Sequence, residues 1–132
     1  MAGIGNEPRL KGRLLMKARG IFEHRSEWLY LLLDEARKRG IEWDEFAPAA
    51  IYRCGRFHGE SLADAAAADE GLLTLGKKLF SGMGRRVFEV KVHESDAYLL
   101  AVEFRYCPLV SAWRKLGASD ADIADSISYP FL

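Results

Sequence analysis

The sequence predicts a helix-rich α+β fold, and three observations predict it. Apolar residues recur at helical spacing through most of positions 7–80. Two alternating segments at about 86–106 read as an antiparallel hairpin. A short helical pattern with its own start and stop signals follows at 108–124. At 132 residues and 49% hydrophobic, the chain reads as a single domain, 1–132, with material for a core. Two strands alone cannot hold a domain, so the N-terminal helices are expected to pack on the small sheet, or further short segments or a partner chain to complete it.

The first helix is expected over about 7–39. Leu10, Leu14, Ile21, Trp28, Leu32 and Ala36 recur at helical spacing, Gly20 is a place to kink or divide, and Gly40 is a stop after Arg37-Lys38-Arg39. A second helix is expected from Glu45 to about Phe57, with Asp44 as N-cap and Pro48 in its first turn or so. A third is expected over about Ser61 to Phe80, with Gly71 and Gly76 as weak points and the Ala65 to Ala68 run inside it. Gly82 and Gly84 read as a loop.

The strands are expected at Arg86 to His93 and Tyr98 to Tyr106, with their even-numbered residues on the buried face. A five-residue loop sets Lys91 opposite Glu103 and Glu89 opposite Arg105. A three-residue loop sets Glu89 against Glu103, which is repulsive, and such pairs are worth roughly 0.2–1 kcal/mol each. Charge therefore favours the longer loop, weakly. Pro108 then opens a helix that stops at Gly117. Ser119 caps the last one, with Asp122 three residues on.

Bulk properties narrow the function classes. The formal net charge is zero, which gives nucleic-acid binding little support. The apolar runs are too short for a membrane span. No signal peptide is recognised, and two cysteines make neither a disulfide framework nor a four-cysteine zinc site, so a cytoplasmic protein is expected. Charge is uneven. Arg9, Lys11, Arg13, Lys17 and Arg19 form a basic stretch, and Asp120, Asp122 and Asp125 an acidic end. They read as two solvated faces or as ends that pair, within a subunit or across a homodimer. A membrane-surface helix is disfavoured because acids return at Glu23 and Glu27.

The candidate chemistry lies on the odd-numbered hairpin face, where parity places Glu89, Lys91, His93, Glu103, Arg105 and Cys107. A solvent-facing side with alternating charge looks the same. Cys107 sits where strand becomes helix, and Arg105 and the helix N-terminus can lower its pKa. Pairing with His93 or His58 would make it a nucleophile, and a buried inert thiol is the plain alternative. Cys54 and His58 are spaced i, i+4, but two ligands do not make a zinc site. His24 reads as an ordinary surface or boundary histidine. No phosphate-binding glycine motif, serine nucleophile elbow or HExxH is found.

The runs Phe22-Glu23-His24-Arg25 and Trp28-Leu29-Tyr30, then Arg53-Cys54-Gly55, and above all Glu103-Phe104-Arg105-Tyr106-Cys107-Pro108-Leu109-Val110 with Ala112-Trp113 and Leu116-Gly117, resemble the L-2-amino-thiazoline-4-carboxylic acid hydrolase family. The resemblance spans about 9–124, with Tyr-Cys-Pro-Leu-Val its most distinctive part. It implies a hydrolase that opens a cyclic amidine-like carboxylate, the named reaction converting 2-amino-thiazoline-4-carboxylate to N-carbamoyl-cysteine. That chemistry needs a base for water, an acid for nitrogen or sulfur, and a cation for the carboxylate. We assign Glu103 or His93 as base, Cys107 as acid or nucleophile, Arg105 as the carboxylate partner and His58 as a further substrate contact. No cofactor is implied, and a divalent metal is left open. Members of the family usually continue with another cysteine- and aspartate-containing stretch. Here Ile123 leads to Tyr129-Pro130-Phe131-Leu132 without that cysteine, so a short member is expected. A non-catalytic ligand-binding or assembly module, and a structural dimer, are the competing expectations.

Overall fold

The computed structural model describes residues 4–67 and 71–125. The elements run α1 (Arg13–Lys38), a 3-10 turn (Trp43–Glu45), α2 (Ala47–Ala67), α3 (Leu72–Leu79), α4 (Gly82–Val87), β1 (Val90–Ser95), β2 (Leu100–Phe104), α5 (Pro108–Lys115) and α6 (Asp120–Ile123). The fold is the expected α+β, helix-rich, with one two-stranded antiparallel sheet among the described residues. No described helix is long and apolar enough to cross a membrane.

Several boundaries differ from the expectation, each for a local reason. α1 begins at Arg13 rather than near 7, because the N–H groups of Arg9 and Leu10 bind the Glu89 carboxylate instead of helical carbonyls. It runs through Gly20 without a break and ends before Gly40, whose φ of 77° suits glycine. Asp44 is not an N-cap: it lies in the 3-10 turn, where the Glu45 carboxylate reaches back to the Glu42 N–H at 3.3 Å. α2 then starts at Ala47, keeps Pro48 in its first turn and passes through Gly55 and Gly59. The expected 61–80 helix is two pieces, the end of α2 and then α3 after Gly71, which has φ 59°. Residues 68–70 of that expectation, Ala68 included, lie outside the described residues. The Gly82–Gly84 loop is instead α4.

The hairpin keeps the register that charge favoured. Lys91 faces Glu103, Val90 faces Phe104, and the Arg105 N–H donates to the Glu89 carbonyl at 3.3 Å. A bulge between Val92 and Glu94 then shifts the pairing by one residue. The loop becomes Asp96–Leu99, closed by Asp96, whose carboxylate accepts the N–H groups of Tyr98 and Leu99 at 2.7 Å each. Those bonds hold the Asp96 carboxyl below its usual pKa. The shift also ends the parity rule: Tyr98, expected on the buried face, is 94% exposed.

The main core lies between α1, α5 and the 3-10 turn. Trp113 of α5 is fully buried against Tyr30 (ring centroids 5.1 Å) and Trp43 (5.8 Å), with Ile123 of α6 in the same cluster. Trp113 Nε1 donates to the Ser26 carbonyl at 3.0 Å, and Trp43 Nε1 to that of Leu33 at 2.6 Å, so the indoles are fixed as well as buried. Ser119 caps α6 as expected, its Oγ accepting the Asp122 N–H at 3.1 Å. A second aromatic chain ties the sheet to the helices: Phe22 of α1 meets Phe88, Phe88 meets Phe104 of β2, and Phe104 meets Phe80 at the end of α3. α3 approaches closely at Gly76, where a Cβ would lie 3.0 Å from a Leu100 methyl.

α1 has two apolar stripes. The one carrying Leu15, Tyr30 and Leu33 faces the interior, together with Arg19 and Ser26. The one that dominates the sequence periodicity, Leu14, Ile21, Trp28 and Leu32, faces out, each residue 60% exposed or more. Among the described residues no ion pair joins the two charged ends within the chain. Asp122 pairs with Arg37 at 3.2 Å and Asp120 with Arg114 at 3.3 Å, whereas Arg19 turns inward.

Candidate active site on the hairpin face

The bulge fixes the first part of the site. His93 is the unpaired residue at the register shift, and its Nε2 lies 2.9 Å from Glu103 Oε2 across the strands. Arg105 Nε is 3.5 Å from the other Glu103 oxygen. The His93 contact, first, and Arg105, less, hold the Glu103 carboxyl below its usual range, so it is ionised at neutral pH. An ionised carboxylate only accepts, so His93 Nε2 is the donor in this contact. Three of the expected site residues, His93, Glu103 and Arg105, therefore form one contiguous group.

Beside it lies a recess of about 420 Å³ between the N-terminal segment, α4 and the hairpin. Five cationic residues line it: Arg9, Arg85, Arg86, Lys91 and Arg105, with Leu10 and Val90 as apolar wall. Among the described residues no carboxylate pairs with Arg9, Arg86 or Lys91, and Arg85 donates its Nε to the Val90 carbonyl at 3.3 Å. Among the described residues Glu89 is the one acid in the lining, and it is already engaged. So many like charges around one hollow favour an anionic occupant.

Glu89 is what sequence reasoning missed. Parity placed it on the open hairpin face, but it precedes β1 and its side chain is buried, 4% exposed. Oε2 accepts from Arg19 Nη2 at 2.9 Å, from the Arg9 N–H at 2.8 Å and from the Leu10 N–H at 3.2 Å. Arg19, 2% exposed, also donates to the carbonyls of Val87 and Leu10 and stacks over the Tyr106 ring at 4.5 Å. Glu89 has φ 46°, a left-handed conformation that costs a non-glycine residue about 1 kcal/mol or more. Charge-assisted bonds to buried donors offset that strain. The signal was present in α1: Arg19 falls on the same face as Leu15, Ser26, Tyr30 and Leu33, and a buried guanidinium calls for a buried acid.

The other expected residues stand apart. Cys107 is the N-cap of α5 and packs at the edge of the main core. Asn6 clamps its backbone, donating Nδ2 to the Cys107 carbonyl at 3.0 Å and accepting the Cys107 N–H at 2.8 Å. Burial pushes the Cys107 thiol up in pKa, and the N–H groups of Val110 and Leu109 offset only part of this. That reverses the lowered pKa expected from the helix terminus. Among the described residues no hydrogen bond or ion pair joins Cys107 to His93, Glu103 or His58. His58 is exposed on α2 with its ring edge-on to Phe57. Cys54 is exposed on the same helix, and no group of three or more His, Cys, Asp or Glu side chains converges as a metal site among the described residues.

A second recess, about 380 Å³, lies at Leu33, Trp43, Pro48 and Ile51, with Arg37 and Asp122 in its wall. Arg37 is already paired with Asp122 and stacked over Trp43 at 3.8 Å, so this recess lacks the unpaired cations of the first.

No curated protein and no solved structure matches the chain. The family model described as L-2-amino-thiazoline-4-carboxylic acid hydrolase matches residues 21–123, a span that includes most of α1, the whole hairpin and α5. With that match over most of its length, the chain belongs to the L-2-amino-thiazoline-4-carboxylic acid hydrolase family.

Proposed function

We propose that the chain hydrolyses a small cyclic amidine-like carboxylate of the thiazoline type, using the hairpin face. The observation that carries this reading is the His93–Glu103 pair, at 2.9 Å, joined through Arg105 to a recess lined by five cations. Arg105 touches Glu103 and lines the recess, and in this reading it holds the substrate carboxylate. Glu103 orients the imidazole, and His93 Nδ1 takes a proton from water. The water oxygen bonds to the ring carbon between nitrogen and sulfur, and the carbon–sulfur bond breaks with thiolate leaving. The proton held by His93 passes to sulfur, and the second water proton ends on the ring nitrogen as the new carbonyl forms. Cys107 takes no part in this scheme.

Incubation with 2-amino-thiazoline-4-carboxylate, with and without added divalent cation, should yield N-carbamoyl-cysteine. Glu103→Gln should lower kcat about 100-fold with little change in melting temperature, because the side chain is half exposed. Arg105→Ala should act mainly on KM, and Cys107→Ala should keep turnover. Absence of product from the unaltered chain under both conditions removes this substrate. The exposure of the pair favours a second reading, a ligand-binding module without turnover. Saturable binding of the thiazoline carboxylate with no product would select it.

A further inference from the structure

We infer that two copies of this chain associate through the outward stripe of α1, packed antiparallel about a twofold axis. A helix that already buries one face has no structural need for a second apolar one. Leu14, Ile21 and Trp28 repeat at seven residues, Leu31 and Leu32 extend the line, and all five are exposed. Seven-residue spacing is the period of a helix–helix seam. Lys17 and His24 lie three residues on from Leu14 and Ile21, and Glu35 seven on from Trp28.

Charge along the seam selects both the occupant and its direction. In an antiparallel pair whose twofold axis crosses the outer side of α1 at the level of residue 26, Ile21 meets the partner's Leu31, and Trp28 meets the partner's His24. Lys17 meets the partner's Glu35, an exposed carboxylate that Arg39 and Lys38 of its own helix already approach at 2.5 and 3.4 Å and that keeps room for a further donor, and Leu14 lies along the stem of the partner's Lys38. A parallel pair would instead oppose Lys17 to Lys17, His24 to His24 and Glu35 to Glu35. The twofold arrangement repeats each favourable contact and closes at two copies. The stripe is thus complementary to itself reversed.

Sedimentation equilibrium of the full chain at roughly 100 μM should give about twice the 14.8 kDa chain mass. Ile21→Glu and Trp28→Glu, each acting twice at the interface, should raise the dissociation constant roughly 100-fold or more with the helical circular dichroism unchanged. Lys17→Glu should weaken the dimer, and Lys17→Glu combined with Glu35→Lys should restore it. A monomer at that concentration overturns the inference. So does a dimer that Ile21→Glu and Trp28→Glu leave intact, and a double charge swap that fails to restore association overturns the antiparallel register.

Discussion

Glu89→Ala is expected to lower folding stability by about 3–5 kcal/mol, measured by urea unfolding followed by far-ultraviolet circular dichroism. The loss comes less from the missing attraction than from what remains. Arg19, with its side chain 3% exposed, keeps its charge and loses its counter-ion. The N–H groups of Arg9 and Leu10 lose their acceptor. Glu89→Gln should cost less, because the amide oxygen still accepts from the backbone. Combining Arg19→Met with Glu89→Gln should recover part of the loss, since removing both charges takes away the need to bury either. Full recovery is not expected: the carbonyls of Val87 and Leu10 would then lack their guanidinium donor. A Glu89→Ala variant within 1 kcal/mol of the parent would contradict this account of the pair.

Trp113→Ala is expected to cost a similar amount, about 3–5 kcal/mol. Its ring is 0% exposed and touches both Tyr30 and Trp43, so truncation leaves a hollow between three elements at once. α5 has 8 residues, too few to persist without tertiary packing. Trp113→Phe separates the two contributions. It keeps most of the apolar ring and loses the bond to the Ser26 carbonyl, so a smaller drop of about 1–2 kcal/mol is expected. Equal losses for the two variants would mean that the hydrogen bond, and not the packing, secures α5.

These two positions show what was legible in the sequence. The helix that carries Trp113 follows from pattern, with Pro108 to open it and Gly117 to stop it, but the burial of Trp113 itself was not read. The hairpin register followed from cross-strand charge, since Lys91 opposite Glu103 is a local preference. Glu89 was illegible by that route, because period-2 parity holds only inside a strand and Glu89 precedes β1 at a positive φ. α4 was hidden by Gly82 and Gly84: Gly82 opens it at φ 58°, a conformation that suits glycine, and the weak helix propensity of Gly84 is overridden by packing of the segment on α1 and β1. α1 misled in another way: the more regular of its two stripes faces water. Of the candidate site, the sequence brought His93, Glu103 and Arg105 to one face. It also added Cys107, which lies beyond the last pairing of the hairpin, where chain direction and not parity sets orientation.

The Asn6 clamp makes the junction before α5 sensitive to chemical ageing. Deamidation of that side chain would replace a donor with an anionic oxygen next to the Cys107 carbonyl, turning an attraction at 3.0 Å into a repulsion. One spontaneous hydrolysis, on a side chain 101 positions away in sequence, would then loosen the entry to the helix that carries Trp113.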